Sequence, residues 1–100
     1  MEMIIIPKTI KEDKELPATA KLIYGELATY GTMERGPQFT TVTNEYLAEL
    51  YGMKKDTVYR LLKKLKDKKY IKIEYENEGT PFKERKIYPL INVYNVRTGW

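Results

Sequence analysis

The chain has no cysteine and no histidine. Disulfides, thiolate zinc sites, imidazole metal ligands and a catalytic Cys or His are therefore excluded. Chemistry is left to carboxylates, amines, guanidinium groups and tyrosines, enough at most for a magnesium site or a carboxylate pair. Glu12, Asp13 and Glu15 form the one acidic run worth weighing as a metal cluster, and they read better as a solvated link. Gly25 and Gly52 make no phosphate loop, because no Gly-x-x-x-x-Gly-Lys-Ser/Thr follows a strand. The expectation is a protein that is not an enzyme and has no catalytic residue, metal or cofactor.

Long apolar runs are also missing. None approaches the roughly 20 residues of a membrane span. Met3 to Ile6 is cut short by Pro7 and by the charges from Lys8 to Glu15, well below the length of a signal-peptide core. A cytoplasmic protein with no membrane partner is expected. One hundred residues suffice for one core, and 42% hydrophobic residues with 12% aromatic is a globular composition.

The net charge is +4, a mild leaning towards polyanionic partners. Its distribution is more informative. Between Lys54 and Lys72 nine basic residues stand against two acidic ones, a surplus of seven, which leaves the rest of the chain at −3.

Met3 to Ile6 is β-branched and short, and reads as an edge strand or an arm. Lys8 to Glu15 reads as a charged link. Pro17 can take the first helical position, and Ala20, Ile23, Tyr24, Leu27 and Tyr30 then recur at helical spacing until Gly31. Gly31 to Thr41 is a loop, with Phe39 to Val42 able to form a short strand. Thr43 or Asn44 can cap a second helix carrying Leu47, Leu50 and Tyr51, ended by Gly52. A third, Lys54 to Lys69, bears Val58, Leu61, Leu62 and Leu65 at i, i+3, i+4, i+7. The period then changes to two: Ile71, Ile73 and Tyr75 alternate with charges, Asn77 to Pro81 is turn composition, and Arg85 to Ile91 returns as a strand that Pro89 places at an edge.

Helix, short strand, helix, glycine turn, basic amphipathic helix and β-hairpin is the order of an α+β winged helix-turn-helix: three helices, a C-terminal β-hairpin wing and a short N-terminal strand. Met53 would plug the angle between the last two helices as a core residue. With the apolar face of the third helix buried, its basic face is outward. Lys54 and Lys55 are placed for phosphates or guanine edges, Thr57 for a phosphate or thymine methyl, and Tyr59, Arg60 and Lys63 along a groove, with Lys64 completing the reading and positioning set. Arg60 is the best candidate for reading a base, because its fork can address guanine O6 and N7 together. Lys66, Lys68 and Lys69 contribute field. The wing, residues 77–86, presents Lys83, Arg85 and Lys86 at its tip for the adjacent backbone or minor groove.

These residues carry a resemblance. Ala20 to Leu27, Thr43 to Met53, Thr57 to Leu62, Lys69 to Ile71 and Arg85 to Tyr88 look like the winged-helix module of Gram-positive phage and plasmid replication initiators. The chain is also similar to the N-terminal domain of DnaD-type replisome organisers, where a lead-in resembling Ile4 to Pro7 precedes the first helix. The resemblance spans nearly the whole chain and implies double-stranded DNA as partner, a homodimer formed through the N-terminal strand, and other replication proteins as further partners. It also implies a larger protein with a C-terminal domain; whether the chain is a fragment or a stand-alone member stays open. Lys54 and Pro17 depart from the pattern, standing where a serine or threonine often caps the recognition helix and a serine the first helix. The domain reading is an arm at 1–16, the winged helix-turn-helix at 17–91 and an extension at 92–100.

Blander readings compete. A lysine-rich helix face is often only a solvated surface, and what favours nucleic acid is its combination with the glycine turn and hairpin. Nine tyrosines among lysines suggest base stacking on single strands, yet Tyr24, Tyr51 and Tyr75 fall on apolar stripes, which leaves Tyr59, Tyr46 and Tyr88 as exposed candidates. A transcriptional repressor of the same fold would read DNA identically, and a winged helix that binds protein through wing and arm is the alternative of another class.

Overall fold

A computed structural model describes residues 6–31, 39–81 and 83–90. Its elements are α1 (Lys8–Lys11), α2 (Ala18–Gly31), α3 (Asn44–Tyr51), α4 (Lys55–Asp67), β1 (Ile71–Glu76) and β2 (Glu84–Pro89). The expected strand or arm at Met3 to Ile6 lies outside the described residues except for Ile6, as do Ile91, the 92–100 extension and the side chain of Tyr30.

Helices α2, α3 and α4 are the three that the spacing predicts. Pro17 stands one residue outside α2, and its carbonyl accepts the Lys21 N–H at 3.2 Å. Thr43 caps α3, its Oγ1 accepting the Tyr46 N–H at 3.0 Å. Gly52 then adopts φ +64°, and its N–H and that of Met53 return to the carbonyls of Glu49 and Ala48 at 3.4 and 2.9 Å. This is a Schellman turn. A Cβ at Gly52 would meet nothing within 4 Å, so the glycine supplies left-handed backbone rather than space. Met53 packs against the core behind it. The same hydrogen-bond pattern ends α4: Lys69 N–H to Lys66 O and Tyr70 N–H to Leu65 O, both 2.9 Å, with Lys69 at φ +64°. An L-residue there costs roughly 1–2 kcal/mol.

The core gathers Ile23, Tyr24 and Leu27 from α2, Leu47 from α3, the four apolar residues of α4, and Ile71 and Ile87 from the hairpin. β1 and β2 pair antiparallel with Ile71 opposite Pro89, Ile73 opposite Ile87 and Tyr75 opposite Arg85. This inner face grades outward along the strand: Ile71 is buried, Ile73 partly so, and Tyr75 is 47% exposed. Tyr75 is therefore not the core residue that alternation predicts, because the hairpin projects past the helices. The short strand at Phe39 to Val42 reduces to one bridge, in which Thr40 and Ile87 exchange two backbone hydrogen bonds of 2.9 Å. Alternation along β2 then points the Pro89 nitrogen away from β1, where its missing N–H breaks no ladder bond.

The stretch from Lys8 to Glu15 is not a link. It contains α1, and Pro7, Ile10 and Leu16 are buried against the core. The acids beside them are not simply solvated. Asp13 accepts a hydrogen bond of 2.5 Å from the Tyr70 hydroxyl, and Lys68 reaches Asp13 at 3.0 Å and Glu15 at 2.9 Å. Packing therefore runs across the 16/17 boundary, holding the N-terminal segment to the junction of α4 and β1. The Tyr70 hydroxyl, and after it Lys68, lower the Asp13 carboxyl to about pKa 2.

Two outcomes follow from these contacts. A carboxylate lowered on folding stabilises the protein above its unfolded pKa and loses that contribution as pH falls through the folded value. Asp13→Asn is expected to be less stable than the wild type at neutral pH, with the gap closing between about pH 4 and pH 2; urea melts across that range measure it. Lys69→Gly relieves the left-handed lysine and is expected to raise stability by about 0.5–1 kcal/mol in the same assay.

Candidate nucleic-acid interface

Val58, Leu61, Leu62 and Leu65 are all at most 8% exposed, so α4 faces the core with one side only. Lys54, Lys55, Tyr59, Arg60, Lys63 and Lys64 are exposed on the rest of it, as expected, and Thr57 is half-buried at its margin. Lys54 stands at the cap in extended backbone (φ −79°, ψ 153°) with no side-chain cap bond, so the first N–H groups of α4 lack a side-chain acceptor at that position.

Ion pairs divide the basic surplus. Lys55 meets Glu45 at 3.6 Å and Lys63 meets Asp67 at 3.4 Å, each pair more than half exposed. Such pairs contribute about 0–1 kcal/mol and exchange readily for another anion. Lys68 is held by Asp13 and Glu15, and Lys72 by Glu74 at 3.1 Å on the outer face of the hairpin. Among the described residues Lys54, Arg60, Lys64, Lys66 and Lys69 form no ion pair. Five of the nine basic residues thus remain uncommitted, and Arg60 and Lys64 are among them.

The wing does not present three cations at its tip. Arg85 lies inside β2, half-buried, and its guanidinium donates to Asn44 Oδ1 at 2.7 Å and to the Val42 carbonyl at 2.8 Å. It ties the hairpin to the N-terminus of α3, and burial lowers its pKa. Lys86 is on the opposite, outer face, bonded to Glu76 at 2.6 Å and lying 4.6 Å over the Phe39 ring. Its pKa is raised, first by that Glu76 bond. Only Lys83 fits the expected tip, among Glu76, Glu78 and Glu84, so the segment from Glu76 to Glu84 carries −2.

Two depressions flank Arg85. One, of about 630 Å³, opens between Thr41–Glu45 and Lys83–Arg85. The other, of about 150 Å³, lies between α4 and the inner face of the hairpin, with Tyr59 and Tyr75 in its lining. Tyr75 and Lys66 were missed by sequence reasoning, the first because it shares the parity of buried Ile71 and Ile73, the second because a charge count cannot say which lysines face the wing. Asp56, also exposed on the first turn of α4, was passed over as an acid although a carboxylate can accept from cytosine N4. No group of three or more acidic side chains among the described residues is arranged to hold a metal.

Arg85→Ala leaves two acceptors without their donor. It is expected to lower stability by about 1–3 kcal/mol, whereas Lys86→Ala, losing an outer-face ion pair and a contact with the Phe39 ring, should cost less. Chemical denaturation of the two variants side by side measures the difference.

Among solved structures, one named "N-Terminal domain of DNA binding protein" superposes with a TM-score of 0.67 over 92% of this chain and 76% of its own, at 17% sequence identity. At that identity the likeness is one of fold, and it fits the helices and wing described above. No curated protein matches the chain. A family of helix-turn-helix domains matches residues 14–71, which takes in α2, α3, the Gly52 turn, α4 and the first residue of β1. The chain belongs to this helix-turn-helix domain family.

Proposed function

We propose that the chain binds double-stranded DNA with α4 in the major groove, as a binding module without catalytic activity. The observation that carries this is the outward face of α4, where Lys54, Arg60, Lys64 and Lys66 form no ion pair among the described residues, on a helix locked to the core from behind. The helix-turn-helix family match and the fold likeness to a domain of a DNA binding protein support it. Arg60 reads a base and Lys54, Lys55, Thr57, Lys63 and Lys64 set the helix against phosphates and base edges. On the wing Lys83 stands among carboxylates, so α4 supplies most of the charge for the backbone. Self-association through residues 3–6 remains part of the proposal; Met3 to Ile5 lie outside the described residues.

The finer reading is a role in initiating or controlling replication of a phage, plasmid or other mobile element, with other replication proteins as partners. Its support is the resemblance of the quoted segments, among them Thr43 to Met53 and Thr57 to Leu62, to replication initiators and DnaD-type organisers. A transcriptional repressor of the same fold uses the same face. Footprinting on DNA from its own genetic neighbourhood separates them: protection at a replication origin supports the first and protection confined to a promoter the second.

The acidic tip favours one further reading, in which the wing contacts protein and DNA is ignored. An electrophoretic shift with random duplex at low salt decides, because no retention at micromolar protein would leave only the protein-binding module. For the DNA reading, Arg60→Ala is expected to relax sequence preference by about 1–3 kcal/mol, and Lys64→Ala to weaken all sequences alike while flattening the salt dependence by about one unit. Unchanged affinity and preference in Arg60→Ala would remove α4 as the reading element.

A further inference from the structure

The cleft between α4 and the hairpin has features that a duplex-binding face does not need. Its volume of about 150 Å³ is below the ≈ 300–1,000 Å³ of pockets for drug-sized ligands and suits one planar ring. Leu62 and Ile73 contribute its apolar lining, Tyr59 and Tyr75 its rings, and Lys63, Lys66 and Arg85 its charge. The two tyrosines are 60% and 47% exposed. An exposed ring forfeits the burial that aromatic side chains usually contribute. Lys83 sits 4.7 Å from the Tyr75 ring and lines the other depression, so it meets that ring from outside the cleft.

A cleft of mixed polarity lined by two accessible rings, with ammonium groups beside them, matches the needs of a nucleobase still attached to its phosphodiester strand. The base stacks on sequence-tolerant π-faces and the adjacent phosphates meet the lysines. A base inside an intact duplex has both faces covered by its neighbours, so it cannot enter. We infer that this cleft receives one unpaired base, and that the chain prefers DNA carrying an unpaired nucleotide beside the duplex held by α4. The inference rests on the duplex-binding reading and adds a substrate class to it. The wing contributes the ring of Tyr75, while Arg85, which also lines the cleft, has its guanidinium engaged by Asn44 and Val42.

Anisotropy titrations of the full chain test this with three DNAs of one sequence: a blunt duplex, the same duplex with a single unpaired thymine, and the same with an abasic sugar-phosphate at that position. The abasic site keeps the phosphate and the flexibility but removes the base. The expected result is about tenfold tighter binding of the unpaired thymine than of the abasic DNA, lost on Tyr59→Leu or Tyr75→Leu and retained in Tyr59→Phe. Equal affinity of the wild type for thymine and abasic DNA overturns the inference while leaving duplex binding intact. Failure to bind any of the three at low salt overturns the duplex reading as well. The wild-type comparison decides even if a leucine variant does not fold.

Discussion

Four side chains set the orientation of everything else. Val58, Leu61, Leu62 and Leu65 occupy one stripe of α4 and none is more than 8% exposed. Turning the helix by one residue, about 100°, would lift part of that stripe into water, at ≈ 1.5–3 kcal/mol for each large apolar side chain. It would also drive charged side chains towards the core, where an unpaired ion costs several kcal/mol more. The helix therefore has one azimuth, and the outward placement of Arg60 and Lys64 follows from burial rather than from any contact of their own. The Gly52 turn and Met53 fix where along the core α4 begins.

Arg85 is the second constraint. A hairpin with only Ile71, Ile73 and Ile87 turned inward could swing about its base. The guanidinium binds it to Val42 and Asn44, and the Thr40–Ile87 bridge anchors the same strand two residues further on. The spacing between hairpin and α4, and hence the width of the slot between Tyr59 and Tyr75, depends on that attachment. A residue that a charge count assigns to a polyanion is used instead to position the wing.

The parts of the fold legible in the sequence are those set by near neighbours. The three- and four-residue spacing of α2 and α4, the Thr43 cap, the Gly52 turn and the change to period two at Ile71 all depend on residues within a turn or two, and all appear in the structure. What was not legible depends on partners far along the chain. Tyr70 meets Asp13 across 57 residues, and Arg85 meets Asn44 across 41. Neither acid nor arginine carries a local sign of having a partner. Tyr75 is a failure of another kind: alternation correctly gives its side of the strand, but not how far the hairpin overhangs the core. Lys69 adopts left-handed backbone without glycine because the chain must leave α4 and enter β1 within a few residues, and packing of Leu65, Tyr70 and Ile71 outweighs the local cost.

Charge, the first functional signal in the sequence, is reshaped most by the fold. Lys68 and Lys72 are drawn to the N-terminal segment and to the outer hairpin face, while the tip of the wing carries three carboxylates around Lys83. With a screening length of about 8–10 Å at ordinary ionic strength, a phosphate near the tip would feel Glu78 and Glu84 against Lys83, because Glu76 is paired with Lys86, and one beside α4 mainly Lys54, Arg60, Lys64 and Lys66. A polyanion is therefore drawn to the helix more than to the end of the wing. That field leaves the inner surface of the hairpin, where Tyr75 lines the same cleft as Tyr59, as the part of the wing beside a strand lying along α4.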